Sequence, residues 1–123
     1  MTEVAPKKLV VLLAHNANDD KSSVAFTIAN AALSTGMQVA VFLTSDGVEL
    51  SREGACEQTL VRPFKPISEL IDMFLEKGGI VWSCAPCYQH RGLKVEDNVE
   101  KVLVTGAGSV IEWVQLGAAT ICL

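Results

Sequence analysis

Leu9-Val10-Val11-Leu12-Leu13-Ala14 is a continuous apolar run, closed by Lys8 on one side and His15-Asn16 on the other. A strand with one wet face would alternate apolar and polar residues. An unbroken run of this length marks a strand covered on both faces, as in a parallel sheet, and it is expected at the sheet's centre. Asn18, Asp19 and Asp20 follow, supplying an N-cap and negative charge for a helix from about Lys21 to Thr35, which Gly36 ends. Val24, Ala25, Ile28, Ala29, Ala32 and Leu33 form its inner stripe. Phe26 and Ala31 leave the other side half apolar, so the helix is expected to pack on two neighbours. Met37 to Leu43 repeats the buried-strand pattern, and Ser45-Asp46-Gly47 turns the chain. The resulting βαβ unit is expected to be right-handed.

Outward from this unit, periodicity disappears between Glu49 and Pro66, where Arg52, Gly54, Cys56, Pro63 and Pro66 gather. A long loop with room for one helical turn is expected there, and long loops in small domains are often functional. Ile67, Leu70, Ile71 and Phe74 have helical spacing, and Gly78-Gly79 stops that helix before a strand from Ile80 to Trp82. Lys101 to Val104 is a further short strand. Ser109 with Glu112 has the form of a capping box, with Val110, Ile111 and Val114 facing inward, and Ala118 to Leu123 closes the chain as the last strand. Five apolar strands alternating with about four helices predict an α/β protein: a three-layer α/β/α sandwich on a mainly parallel, five-stranded, doubly wound sheet, as a single domain over residues 1–123. Chemistry in such sheets gathers outside the carboxyl ends of the strands. Four of those ends are His15-Asn16, Asp46-Gly47, Cys84 and Thr105-Gly106.

Composition narrows the function. A chain of 123 residues can bury roughly two thirds of its unfolded surface. An apolar fraction of 50% is high for a soluble protein, yet no apolar run approaches the ~20 residues needed to span a bilayer. The excess is expected to be buried between subunits. The first residues, Met1 to Lys8, are acidic before they are basic, and no small-residue cleavage site follows, which points to the cytoplasm. A net charge of -4 offers no basic stripe for a phosphate backbone, so nucleic acid is not expected as the main partner. No Gly-x-Gly-x-x-Gly follows the first strand and there is no Walker lysine, which leaves nucleotide binding without support. The four cysteines, in a chain of ordinary core size, suggest redox, catalytic or metal chemistry rather than cross-links.

The chemistry centres on Ser83-Cys84-Ala85-Pro86-Cys87-Tyr88-Gln89-His90-Arg91-Gly92. If Ser83 or Cys84 caps a helix, Pro86 falls in its first turn, where a missing N–H costs nothing. Cys84 and Cys87 then share nearly one face, with Arg91 one turn beyond Cys87 and two beyond Cys84. Helix amides and a guanidinium favour thiolate over thiol, so Cys84 is a candidate nucleophile ionised near neutral pH. The alternative is a small buried hydrophobe, a common place for cysteine. His15 follows the first strand as a candidate base, proton donor or thiolate partner, or else as a strand-end polar residue. Cys84, Cys87 and His90 with His15 or Cys56 are a weaker zinc set, because no second closely spaced pair follows. Cys122 reads as core, Asp46 as a turn cap, and Trp82 and Trp113 as core or interface.

Taken in order, five segments resemble the DsrE/DsrF-like family: Leu12 to Asp20, the alanine-rich helix, Gly36 to Leu50, Cys84 to Leu93, and Val104-Thr105-Gly106-Ala107-Gly108. The resemblance implies a small α/β/α protein that forms homo-oligomers, often trimers or hexamers. In sulfur-relay members it implies sulfur carried as a persulfide on one cysteine, which follows the third strand and precedes Arg-Gly by seven residues. Cys84 with Arg91-Gly92 meets that spacing. Cys87 departs from it, since relay subunits typically carry only the first cysteine, and a second thiol can attack a Cys84 persulfide, release sulfide and leave a disulfide.

The leading expectation is therefore cytoplasmic sulfur trafficking, sulfurtransferase-like. Cys84 is the persulfide carrier, Cys87 the resolving or second acceptor thiol, Arg91 the anion stabiliser and His15 the proton shuttle. The partners would be sulfur donor and acceptor proteins or small persulfides, with no metal and no cofactor. The alternatives are a CxxC thiol-disulfide redox protein and a non-catalytic oligomeric or metal-binding protein.

Overall fold

The computed structural model of the chain describes residues 7–52, 54 and 64–123. Most of the 49–66 loop, Cys56 included, lies outside these residues. The elements run β1 (Lys8–Leu13), α1 (Asp20–Ser34), β2 (Gln38–Leu43), a 3-10 helix (Ser45–Ser51), α2 (Ile67–Glu76), β3 (Ile80–Cys84), α3 (Ala85–His90), a short 3-10 turn (Val95–Asp97), β4 (Val102–Thr105), α4 (Gly108–Gln115) and β5 (Ala119–Cys122). The sheet order is β4-β3-β2-β1-β5, and all four pairings are parallel. The α/β/α reading is what the structure has, and no helix among the described residues is long and apolar enough to cross a membrane.

Alternation along the strands divides the core in two. Leu9, Val11 and Leu13 of β1, Val39, Val41 and Leu43 of β2 and Val81 of β3 face α1, α2 and α3, together with Phe26, Phe74 and Tyr88. Val10, Ala40, Phe42 and Trp82 face the other way, toward Val110 and Trp113 of α4. The first layer is the thicker one. Phe26 and Phe74 meet edge to face at 5.8 Å, so Phe26, which the sequence pattern put on the outer side of α1, is at the core's centre. The buried face of α1 is Ser22, Ala25, Phe26, Ala29 and Asn30, rotated from the expected stripe because small residues on all sides let tertiary packing choose the face. Asp19 caps α1, accepting from the Lys21 amide at 2.9 Å. Gly79 is needed for a close approach: a Cβ there would lie 2.4 Å from Cζ of Phe74.

The chain order sets where the connections part. From β1 to β4 the sheet grows in one direction, and α1 to α3 lie on one face. The return from β4 to β5 runs backward across the sheet, so a right-handed crossover puts α4 on the opposite face. The connection leaving β3 and the one leaving β4 therefore diverge, and the crevice between those two strand ends is the switch point where α/β sheets bind ligands. The last register pair there is Cys84 with Thr105.

Three expectations about α4 and β5 are corrected. No capping box forms: α4 begins at Gly108 after Ala107, whose backbone is already helical, and Ser109 is taken by Thr105, Oγ to Oγ1, at 2.8 Å. Ile111 and Val114 are exposed rather than inward, at 54% and 42%, while Val110 is buried. Cys122 is exposed on β5, an edge strand, and is not core.

Candidate functional site

β3 runs through Cys84, whose extended backbone is the N-cap of α3; Pro86 falls in the first turn as the sequence indicated. The helix is six residues long. Its anchor is Tyr88, buried among the residues under α1 and α2, with its hydroxyl donating to Asn98 Oδ1. Val99 N–H in turn donates to the Ser51 carbonyl at 2.7 Å, and Arg52 and Asn98 form an antiparallel bridge. By these links the 3-10 helix after β2 is tied to the segment after α3.

That tie brings the end of β2 over the thiols. Thr44 N–H donates to the Leu13 carbonyl, and Gly47 N–H donates back to the Thr44 carbonyl, both at 2.9 Å. A Cβ on Gly47 would lie 2.4 Å from the Leu13 carbonyl oxygen, so only glycine lets this turn sit down on the end of β1. Ser45 between them has φ 51°, the single non-glycine residue in the left-handed region among those described. Its amide donates to Cys87 Sγ. Thr44 Oγ1 lies 3.7 Å from the same sulfur.

Cys84 and Cys87 are both free, half-buried and close enough to share a hydrogen bond. Their acidities part in the direction opposite to the sequence expectation. Burial, the largest influence, pushes the Cys84 thiol above its ordinary value against the opposing Cys87 amide, with the neighbouring Cys87 sulfur adding to the rise and the Thr44 hydroxyl resisting it. Cys87 is held below its ordinary value, chiefly by the Ser45 amide, then by the Cys84 thiol, with Thr44 and the Arg91 charge assisting. The helix amide expected from the sequence does reach Cys84, but burial outweighs it, and the amide that acidifies Cys87 comes from another strand's end.

Arg91 does join the site, through contacts of its own. Its Nη1 donates to the Cys87 carbonyl at 3.2 Å and its Nη2 to Asp46 Oδ1 at 2.8 Å. Asp46 is thus an ion-pair partner that fixes the guanidinium, rather than a simple turn cap, and the pair raises the Arg91 pKa further. His15 is not brought to the thiols. It stands at the end of β1, two strands from β3, with Nδ1 3.0 Å from Asp19 Oδ2, so the proton-shuttle role has no geometry behind it. Of the zinc set, Cys84, Cys87, His90 and His15 are not gathered into one site, since among the described residues no group of three or more His, Cys, Asp or Glu is disposed to hold a metal ion; Cys56 lies outside those residues. Thr44, Ser45 and Asp46 are the site residues that sequence reasoning missed. The one signal was the Ser45-Asp46-Gly47 turn at a strand's carboxyl end.

Solved structures with this architecture include the YchN protein of E. coli, with a TM-score of 0.79 and 16% identity over 97% of this chain and all of that one. The MTH1491 protein of Methanobacterium thermoautotrophicum follows at 0.70 and 20%, over 95% and 99% of the two chains. At such identities the likeness is one of fold. In sequence, an uncharacterized protein of Methanopyrus kandleri, MK0008, is 31% identical over 78% of this chain and 76% of its own length. The uncharacterized MJ0760 of Methanocaldococcus jannaschii is 25% identical over 78% of this chain, which spans 35% of that longer protein. The sequence model of the DsrE/DsrF-like family matches residues 7–123, and the chain belongs to that family.

Proposed function

We propose that this protein traffics sulfane sulfur: it takes sulfur from a persulfide donor, holds it as a persulfide on Cys84, and passes it to an acceptor thiol. The observation that carries the reading is the pair of free, neighbouring thiols at the sheet's switch point, one acidified and one not. Membership of a family generally linked to sulfur relay supports it. In each transfer a thiolate attacks the outer sulfur of R–S–SH. A bond forms between the protein sulfur and the sulfane sulfur, the bond from R–S breaks, and RS⁻ departs with the electron pair. No net oxidation occurs. Cys87 is the second thiol of the site, and Arg91, fixed by Asp46, holds the helix carbonyl beside it. Donors and acceptors are proteins or small persulfides in the cytoplasm, and the working form is a homo-oligomer.

The test is mass spectrometry of reduced protein treated with glutathione persulfide and then alkylated. Both cysteines fall in the Gly78–Arg91 tryptic peptide, so fragmentation must locate the added sulfur. The wild type should carry one extra sulfur, settled on Cys84, and the Cys84→Ser/Cys87→Ser double variant none. Wild-type protein that gains no sulfur would sink the reading. A stable Cys84–Cys87 disulfide that cycles reversibly without any sulfur loading would favour a dithiol redox protein instead, which the nearness of the thiols also allows.

A further inference from the structure

We propose that Cys87 is the thiolate at which sulfur enters, that Thr44 and Ser45 form the hole that holds its charge, and that the sulfur then moves from Cys87 to Cys84 within one subunit. This rests on the trafficking reading above and adds a direction to it. Two neighbours on the β2 turn face the Cys87 sulfur, and a third residue, Arg91, is held beside it. The Ser45 amide points at it from a left-handed backbone position that a serine rarely adopts. The Thr44 hydroxyl lies 3.7 Å away. The Arg91 guanidinium is clamped between the Cys87 carbonyl and Asp46, close enough for its charge to be felt. The strain at Ser45 is sustained by Gly47, which alone can rest on the Leu13 carbonyl. Such a set of prearranged donors stabilises a localised anion as an oxyanion hole does. The charged and titratable groups around Cys87 are Cys84 from β3, Arg91 from its own helix, and Asp46 and Glu49, acting through Arg91, from the 3-10 helix.

The direction of transfer follows from leaving-group chemistry. Cys87–S⁻ attacks the outer sulfur of R–S–SH, giving Cys87–S–SH and RS⁻. Cys84, on losing its proton to solvent, attacks that same outer sulfur. The new bond is Cys84 Sγ to sulfane sulfur, the broken one is Cys87 Sγ to sulfane sulfur, and Cys87 leaves as the stabilised thiolate. The more acidic thiol is the better leaving group, and the more basic sulfur keeps the cargo. An acidic Cys87 beside a less acidic Cys84 thus makes a one-way step, and the vacated Cys87 is ready for a second donor.

Two measurements test this. Alkylation rate against pH, on Cys84→Ser and Cys87→Ser separately, should show Cys87 ionising below the ordinary thiol value of ~8.5 and Cys84 above it. Thr44→Val should cut the Cys87 rate at pH 7 about threefold by removing one hydrogen bond to the anion, and Thr44→Ser should restore it. In rapid-mixing experiments with glutathione persulfide, Cys87→Ser should load about tenfold more slowly than wild type at pH 7, and Cys84→Ser should still load, with the sulfur staying on Cys87. Cys84 ionising first, or Cys87→Ser loading as fast as wild type, would overturn the proposal. Wild type that loads no sulfur would instead refute the trafficking reading and with it the route, while the alkylation profiles still decide whether the hole around Cys87 exists.

Discussion

Cys84 and Cys87 are three residues apart and each receives one backbone amide, the Cys87 amide on Cys84 and the Ser45 amide on Cys87, yet their acidities part. Cys84 is covered at the end of β3, and burial disfavours its charged form; Cys87 faces the donors of the β2 turn. Gly47 is the residue on which that difference hangs, because the turn reaches Cys87 only by lying against the Leu13 carbonyl, 2.4 Å from where a Cβ would be. Gly47→Ala is therefore expected to cost about 1–3 kcal/mol of stability, the range for substitutions that force a backbone shift. It should also move the Cys87 alkylation midpoint upward. Denaturant unfolding together with the pH profile checks both, and a Gly47→Ala variant whose Cys87 keeps its acidity would show that the turn is not what sets it. The thiol pair, Arg91 and the strand-end location were legible in the sequence, because a CxxC with Pro in the first turn is a local pattern. The acidity order was not legible, since it depends on an amide from a distant part of the chain brought in by sheet register.

At the scale of elements, α3 is too short to position anything on its own. Six residues give little more than a turn of hydrogen bonds, so its placement comes from Tyr88, buried against the core and bonded to Asn98. Tyr88→Phe keeps the packing and removes the hydroxyl, and should lower stability by about 1 kcal/mol, the usual net contribution of one hydrogen bond. Thermal unfolding checks this; an unchanged midpoint would mean that the Asn98 contact contributes nothing. The element boundaries show which signals were strong. The continuous apolar runs of β1 and β2 left little choice but a doubly covered strand. In α4, Ser109 and Glu112 had the form of a capping box, but Thr105 at the end of β4 takes the Ser109 hydroxyl and the helix starts two residues earlier, after Ala107. A local motif there gave way to a tertiary partner, as it did for the buried face of α1.

For the whole molecule, the two sheet faces are covered unequally. Among the described residues, three helices fill one and α4 lies by itself on the other, where Leu103, Ile111, Val114 and Leu116 are exposed. Leu103 belongs to that thinner side, since it pairs in register with Trp82 while Val102 and Val104 pack on the opposite face. Apolar residues gathered in this way are what an interface between copies presents. Leu103→Glu with Ile111→Glu should convert an assembled protein to monomer in sedimentation velocity while leaving its far-ultraviolet circular dichroism intact. An assembly of unchanged size would place the contact elsewhere, and a wild type that sediments as a monomer would refute assembly itself.

The left-handed Ser45 amide has one consequence that reaches beyond sulfur chemistry. Folding normally shields a cysteine from reagents, and the unfolded chain is the reactive one. Here the donors that favour the Cys87 anion exist only when β1, β2 and β3 are in register and the turn at Gly47 is closed. Below the ordinary thiol pKa that order is expected to reverse at Cys87: the native molecule holds the larger thiolate fraction, and the thiol becomes a label for correct assembly of the sheet's centre.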